Sequence, residues 1–349
     1  MSPTPGSIRI KPLDDASEAR WEAFVGQAPG ATFFHRAGWR RVVERAFGHR
    51  TYYAYAERDG RIVGVLPLTH IASRLFANGL ISNAFGVYGG PVADADEVHA
   101  ALDAYAEEVM DRVGADFIEY RGRQALRPDW TRKSDLYVTF RREIDPDPDV
   151  NLKAIPRKQR AVVRKALKAG TLSAEIDDDV ARLYRVYATS VRNLGTPVFA
   201  RRYFQLLKQE FGDDCEILTL SAGGEPVASV MSFYFRDEVN PYYGGGTAAA
   251  RRLGANDLMY WRVTERARER GLRLFDFGRS KHGTGSYAFK KNWGFEPEPL
   301  AYEFKLRNGK ALPDVNPLNP KYRLFIAAWR KLPLPVANSV GPWLARDLG

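Results

Sequence analysis

Residues 274–295 read LFDFGRSKHGTGSYAFKKNWGF. Leu274-Phe275-Asp276-Phe277 has the length and composition of a short buried strand, with an acid inside the apolar run. Gly278, Gly283 and Gly285 permit close backbone approach in the loop that follows. That stretch also carries Arg279, Lys281, His282, Tyr287, Lys290 and Lys291. An acid at a strand end followed by a cationic loop suits group transfer, the cations binding phosphates or stabilising an oxyanion. The alternative for Asp276 is a hydrogen-bonded structural carboxylate, and Trp293 and Phe295 read as packing residues. Gly283–Ala288 has the outline of a dinucleotide fingerprint. It is followed by Phe289-Lys290-Lys291-Asn292-Trp293-Gly294, which is not the apolar helix face that motif needs.

The same signal stands 157 residues earlier in Phe117-Ile118-Glu119-Tyr120. A helical pattern precedes each strand: Glu97–Val113, with Val98, Leu102, Tyr105 and Val109 on one face, and Asn256–Gly271. Before the helices come Tyr88-Gly89-Gly90 and Tyr243-Gly244-Gly245, 155 residues apart. Earlier still are two hairpin patterns whose turns lie 164 apart: Tyr52–Arg58 and Arg61–Ile71 around Asp59-Gly60, and Glu216–Ala222 and Glu225–Phe235 around Gly223-Gly224. Trp39, Val42, Val43 and Ala46 form a helical face before the first hairpin. Pro156, Leu183, Val186, Tyr187 and Ser190 mark helices before the second. One order of elements occurring twice is an internal duplication. It predicts an α/β chain with domains at 8–144 and 150–306, joined through Asp145–Asp149 with Pro146 and Pro148. A Pro-rich tail, 307–349, carries Pro313, Pro317, Pro320, Pro333, Pro335 and Pro342. Tyr243, Gly244 and Gly245 are substrate-contact candidates, because glycines after a strand bare N–H groups to a ligand; a bulge or strand end is the other reading.

The chain has 349 residues, 45% hydrophobic and 27% charged, an ordinary globular composition that excludes disordered and collagen-like classes. Its single cysteine, Cys215, cannot form an intramolecular disulfide, which fits a reducing, cytoplasmic setting. No apolar run is long enough to span a bilayer, and the first residues lack the apolar core of a signal peptide. Histidines 35, 49, 70, 99 and 282 show no zinc-ligand spacing, and neither G-x-S-x-G nor a Walker A sequence occurs. A metal site is therefore not expected.

A net charge of +10 favours anionic partners. Seven cations fall within Lys153–Lys168, and no acid occurs between Asn151 and Ala174. On a helix opened by Pro156, Arg157, Arg160, Arg164 and Lys168 share one face, with Val163 and Leu167 as the core-facing pair. This is a helix for donor phosphates or RNA, or a solvated basic face. In the tail, Lys321–Arg346 includes Tyr322, Arg323, Phe325, Trp329, Arg330, Lys331, Leu332 and Trp343. Phe325, Trp329 and Leu332 lie on one side of a helix, which suits a membrane interface; the alternative is that the helix packs on the body and buries Trp329.

Taken together, two copies of helix, hairpin, strand, helix and strand resemble tandem GNAT-type (acyl-CoA N-acyltransferase) domains over residues 8 to 306. Leu274–Gly278, Tyr287-Ala288-Phe289-Lys290 and Trp293-Gly294-Phe295 resemble the Tyr-x-Phe-Lys-x-x-(x)-Phe signature of the Fem family of aminoacyl-tRNA-dependent peptidyltransferases. The tail, with Trp329-Arg330-Lys331-Leu332-Pro333 and Gly341-Pro342, is similar to a FemAB-related branch found beside exosortase (PEP-CTERM) and exopolysaccharide loci. The long helical-hairpin insertion of FemA-type members is absent. The resemblance implies acyl or aminoacyl transfer onto an amino group of a peptidoglycan- or exopolysaccharide-related precursor. It implies aminoacyl-tRNA or acyl-CoA as co-substrate and no tightly bound cofactor. It places Lys290 in the donor channel, and Asp276 would orient the acceptor or take its proton. Arg279, Lys281, Tyr287 and Lys291 would contact substrate. Arg251-Arg252-Leu253-Gly254-Ala255-Asn256 comes close to the R/Q-x-x-G-x-G/A pyrophosphate loop of acetyltransferases, which leaves an acyl-CoA-dependent N-acyltransferase as the alternative donor reading; a non-catalytic scaffold of polysaccharide assembly is the reading outside enzymology. The lipid-linked nature of envelope precursors, which the resemblance implies, would bring the protein to the inner membrane. The sequence leaves the oligomeric state open.

Overall fold

The computed structural model describes residues 6–73, 77–133, 136–312 and 323–349. Two compact units divide the chain. In chain order the first contains β1 (Arg9–Pro12), α1 (Glu18–Gln27), α2 (Gly38–Phe47), β2 (Arg50–Thr51), β3 (Ala54–Arg58), β4 (Arg61–Leu66), β5 (Thr69–Ala72), β6 (Asn78–Ser82), β7 (Val92–Ala93), α3 (Asp96–Val113), β8 (Phe117–Gly122) and β9 (Thr131–Lys133). The second contains β10 (Tyr137–Glu143), α4 (Pro148–Ala154), α5 (Arg157–Ala169), β11 (Leu172–Asp177), α6 (Val180–Leu194), α7 (Arg201–Phe211), β12 (Cys215–Ala222), β13 (Glu225–Phe235), β14 (Glu238–Gly246), α8 (Ala248–Leu253), α9 (Ala255–Glu269), β15 (Leu274–Asp276), β16 (Ser280–Lys281), α10 (Gly285–Asn292) and β17 (Pro297–Pro299). The chain then returns to the first unit with β18 (Ala301–Leu306) and ends with α11 (Arg323–Lys331) and α12 (Leu334–Ala345), which belong to the second.

The first unit has two sheets, ordered β1-β3-β4-β7 and β2-β5-β6-β8-β18-β9. The return strand expected over Arg61–Ile71 is broken at Pro67, which has no N–H for a ladder, so β4 and β5 enter different sheets. Of the predicted α3 face, Val98, Leu102 and Val109 are buried and Tyr105 is half-buried; Ala106 and Met110 complete the buried side. The second unit builds one sheet, β11-β12-β13-β14-β15-β10-β16, with β17 also on β10. Both hairpins turn on two residues with positive φ, Asp59-Gly60 at 48° and 77° and Gly223-Gly224 at 56° and 83°. That geometry matches the right-handed twist of the flanking strands.

The duplication is legible in the pairing. Ile71 pairs with Gly79, and Gly79 with Phe117 in parallel. Phe235 pairs with Glu238, and Glu238 with Leu274 in parallel. Counting from either pair, Glu119 and Asp276 hold the same place. The Tyr-Gly-Gly match is displaced, because Val92 and Ala93 stand opposite β4 where Gly245 and Gly246 stand opposite β13.

The ranges 8–144 and 150–306 cut across an exchange of strands. β10 lies beside β15 in the second unit, and β18 lies between β8 and β9 in the first. Strand spacing in a sequence does not reveal strand partners. The linker expected at Asp145–Asp149 already enters α4, where the Asp147 carboxylate accepts from the Asp149 N–H and Pro148 takes the first turn. In the tail, Trp329 is buried, as the packing alternative had it. Lys321, Tyr322, Pro313, Pro317 and Pro320 lie outside the described residues.

Candidate active site

β14 is paired with β13 throughout, but it keeps β15 as a neighbour only at Glu238 and Val239. From Asn240 to Gly246 the β15-side edge of β14 faces no strand among the described residues. The two parallel strands fork inside a sheet, leaving backbone N–H and C=O groups open toward the gap.

A β-bulge shapes one wall. Met231 pairs with Tyr243 and Ser232 with Pro241, leaving Tyr242 as the extra residue. The bulge resets the side-chain alternation. Asn240 therefore shares a face with its partner Phe233, whose ring meets Phe211 of α7. Tyr243 turns into a cage with Tyr187, Phe199, Tyr203 and Phe204, and its hydroxyl lies 2.7 Å from that of Tyr203. Burial holds the Tyr243 hydroxyl well above its ordinary range. This tyrosine, expected to touch substrate, is engaged in packing.

Gly244, Gly245 and Gly246 are strand residues with a packing reason. A Cβ on Gly245 would meet Ser190 of α6 at 2.6 Å, and one on Gly246 would collide with the Asn256 side chain of α9. A Cβ on Gly244 would stand 3.1 Å from the Tyr260 hydroxyl. The absent side chains let α6 and α9 close on the two faces of β14.

The opposite wall is β15 and the loop beyond it. Asp276 is fully buried. Its Oδ1 accepts from the Thr139 hydroxyl at 2.8 Å and the Gly278 N–H at 2.7 Å, and its Oδ2 lies 3.2 Å from Arg141 Nε. Asp276 is thus the hydrogen-bonded strand-end carboxylate. Lys290 reaches back from α10 and donates to the carbonyls of Phe277, Gly278 and Arg279 at 2.7, 2.8 and 3.2 Å. These contacts tie the side chain to the loop beyond β15. Burial pushes this lysine down to about 7; Asp276 opposes the shift and Arg279 adds to it. Arg279 and Lys281 lie over the Tyr137 ring, Tyr287 meets Phe140 edge-on, and Lys291 is exposed. Trp293 and Phe295 are buried in the core.

Two residues at the fork were not singled out by sequence reasoning. Asn240 is buried, and neither its amide oxygen nor its amide nitrogen has a partner among the described residues. Those atoms lie 3.8 and 3.9 Å from where a Cβ on Gly278 would stand, on the far side of the gap. An unpaired buried amide costs about 1–3 kcal/mol, so it marks a position that a ligand can complete. Tyr260 comes from α9 on the other face, between Gly244 and the Phe277 ring, whose centroid is 4.8 Å away. Its hydroxyl makes no hydrogen bond among the described residues, and burial pushes it up to about 12, keeping it a proton donor. An asparagine in an apolar strand gives a weak signal for either role; a tyrosine on an amphipathic helix gives none.

On α5, Arg157, Lys158, Arg164, Lys165 and Lys168 are exposed, and none is in an ion pair among the described residues. Arg160 is partly withdrawn and donates to the Lys153 carbonyl at 3.1 Å. Val163 is buried as expected, but Leu167 is 37% exposed and Ala166 fills the second core position. Val162 packs where a Cβ on Gly254 would stand, so α5 crosses the α8–α9 turn, and Arg251 and Arg252 at the end of α8 are exposed. At the start of α9, the Asp257 carboxylate accepts from Trp293 Nε1 at 2.9 Å.

An acetyltransferase (GNAT) domain family model matches residues 157–291, the stretch that holds the fork, α9 and α10. The chain is a tandem GNAT-fold protein, FemX-like in architecture. The crystal structure of FemX covers 91% of this chain and 100% of its own, with a TM-score of 0.67 and 16% identity. The C-terminal domain of a putative lysylphosphatidylglycerol synthetase from Agrobacterium fabrum covers 84% of this chain and 92% of its own, at TM-score 0.54 and 16% identity. A tandem GNAT protein from the clavulanic acid biosynthesis pathway covers 87% and 100%, at TM-score 0.54 and 14% identity. At these identities the likeness is one of fold. No curated protein matches the sequence.

Proposed function

We propose that the second unit transfers an aminoacyl group from tRNA to an amino group of a cell-envelope precursor, with chemistry at the β14–β15 fork. The observation that carries this reading is the open β14 edge with the orphaned Asn240 amide beside it. The acceptor amine attacks the donor carbonyl carbon, a C–N bond forms, the ester C–O bond breaks, and the amine gives up a proton. Open N–H groups along β14 stabilise the oxyanion. Asn240 holds a polar group of the substrate, and Tyr260 gives its proton to the leaving oxygen and takes back the one that the attacking amine loses. Lys290 and Asp276 are positioning residues that fix the loop opposite.

The donor follows from charge. Unpaired cations on α5 and α8 suit a polyanion. The Asp257 carboxylate in the first turn of α9 opposes a pyrophosphate there. The envelope acceptor rests on the Fem resemblance, as does an exopolysaccharide setting. Among the described residues no helix is long and apolar enough to cross a membrane.

Binding of charged tRNA and of acetyl-CoA to the full chain tests the donor. Tight tRNA binding is expected, with the log–log salt slope flattening by about 0.7–0.9 for each lost contact in an Arg157→Ala/Arg164→Ala/Lys168→Ala variant. Tyr260→Phe is expected to lower turnover about 10²-fold or more while leaving tRNA affinity intact. A thermal shift with acetyl-CoA and none with tRNA transfers the reading to an acyl-CoA-dependent N-acyltransferase.

A further inference from the structure

Helix α12 is sided the wrong way for a helix that merely packs. It buries Ala337, Gly341 and Ala345 and leaves Val336, Val340 and Trp343 exposed. The backbone comes close on the inner side, where a Cβ on Gly341 would meet the Val198 backbone at 3.0 Å. The outer residues follow i, i+4, i+7, one narrow stripe. An amphipathic helix on a protein surface normally turns its large apolar residues inward; here the small ones go in, and Trp343 stands 64% exposed.

Helix α11 is sided differently, with Ala327 and Ala328 exposed, but it too leaves large apolar residues outside. Trp329 is buried, while Leu324 and Phe325 are exposed. Leu194, at the end of α6, is exposed beside them, its carbonyl accepting from Arg330 at 3.3 Å. A set of large exposed apolar side chains marks a contact surface.

Charge selects the occupant. From Arg323 to Arg346 the sequence has four cations and no acid. The apolar stripe of α12 holds no charge at all, and the exposed Arg330 and Lys331 end α11, just before it. A second copy would bring the same cations to the same face, like against like. An anionic lipid surface offers both halves of the match: hydrocarbon for Val336, Val340, Trp343 and Phe325, and phosphate oxygens for Arg330 and Lys331. A tryptophan with an apolar body and an N–H edge belongs at such a boundary.

We propose that the outer face of α11 and α12 docks on an anionic membrane surface, without insertion across it. The assignment does not depend on the reaction at the fork. The test is flotation of the full chain with vesicles of phosphatidylcholine alone and of phosphatidylcholine with about one-third phosphatidylglycerol. Binding is expected to the second only, and to weaken as salt rises. Val336→Ser/Val340→Ser/Trp343→Ser is expected to cut partitioning about tenfold or more. Because these side chains are exposed, its melting temperature is expected to match the parent. Arg330→Glu/Lys331→Glu is expected to abolish the preference for anionic vesicles. Equal partitioning of parent and triple variant, or no binding to either vesicle, overturns the proposal. So does light scattering that finds a dimer which the triple variant dissolves while vesicle binding is unchanged.

Discussion

β6 and β8 stay paired over four residues, Gly79–Ser82 against Phe117–Tyr120, whereas β14 leaves β15 after two. In the first unit the chain beyond Ser82 folds into the place that the fork would occupy. The Gly89 N–H donates to the Arg121 carbonyl at 2.8 Å, and the Gly90 N–H donates to the Ser82 hydroxyl. The Arg121 guanidinium, fixed by Glu119 at 2.8 Å, donates to the Asn83 and Gly86 carbonyls. The buried Asn83 has partners for both ends of its amide, Tyr53 and the Phe34 carbonyl. The buried Asn240 has none. Two copies of one topology have thus diverged: polar groups at the first fork satisfy one another, and the Asn240 amide at the second stays open among the described residues.

Removing the arginine that closes the first fork has the largest expected effect. Arg121→Ala leaves the Glu119 carboxylate and the carbonyls of Asn83, Gly86 and Gly349 without this donor. A loss of about 3–5 kcal/mol is expected in denaturant titration, with donor affinity unchanged under conditions where the variant is folded. A change in donor affinity without loss of stability would make the first fork a site and erase the contrast.

Lys290→Met removes the clamp on the second fork. Three buried carbonyls lose their donor, and about 2–3 kcal/mol of stability is expected to go at neutral pH, with a higher donor KM as the Gly278 loop loosens. The parent has a pH signature that the variant lacks. An unfolded lysine keeps its proton to about 10, while folded Lys290 releases it near 7. Between those values the unfolded chain binds more protons, so stability rises with pH, by at most about 1.4 kcal/mol per unit. Parallel stability–pH curves for parent and variant would mean that burial does not depress the Lys290 ammonium in the fold.

The smallest effect has the opposite sign. Asn240→Leu replaces an unpaired amide with an apolar side chain of similar size and is expected to gain about 1 kcal/mol in melting experiments while turnover falls. A loss of stability together with full activity would mean that the amide is satisfied and is not part of the site.

The duplication was legible because hairpins and glycine turns leave local marks: Asp59-Gly60 and Gly223-Gly224 each require two residues at positive φ. The strand exchange left no mark, since β10 and β18 look like any other short strands and their partners are remote. In the candidate site, the sequence located the 274–295 stretch but not what its charges touch. Lys290 and Asp276 are spaced like catalytic groups, yet the fold turns both onto backbone and buried partners. Asn240 was hidden because a lack of hydrogen bonds is a property of three-dimensional surroundings. The basic face of α5 was readable, since seven cations without an acid need no tertiary information; the retreat of Arg160 and the exposure of Leu167 depend on how α5 lies against α9.

The exchange of β10 and β18 also bears on synthesis. A nascent chain that has emerged through residue 133 has most of the first unit but lacks the strand that belongs between β8 and β9. That strand emerges only after the second unit has been translated through β17. On the ribosome the edge of β8 therefore waits, unpaired, for about 170 residues, and domain-by-domain folding in order of synthesis is closed to this chain.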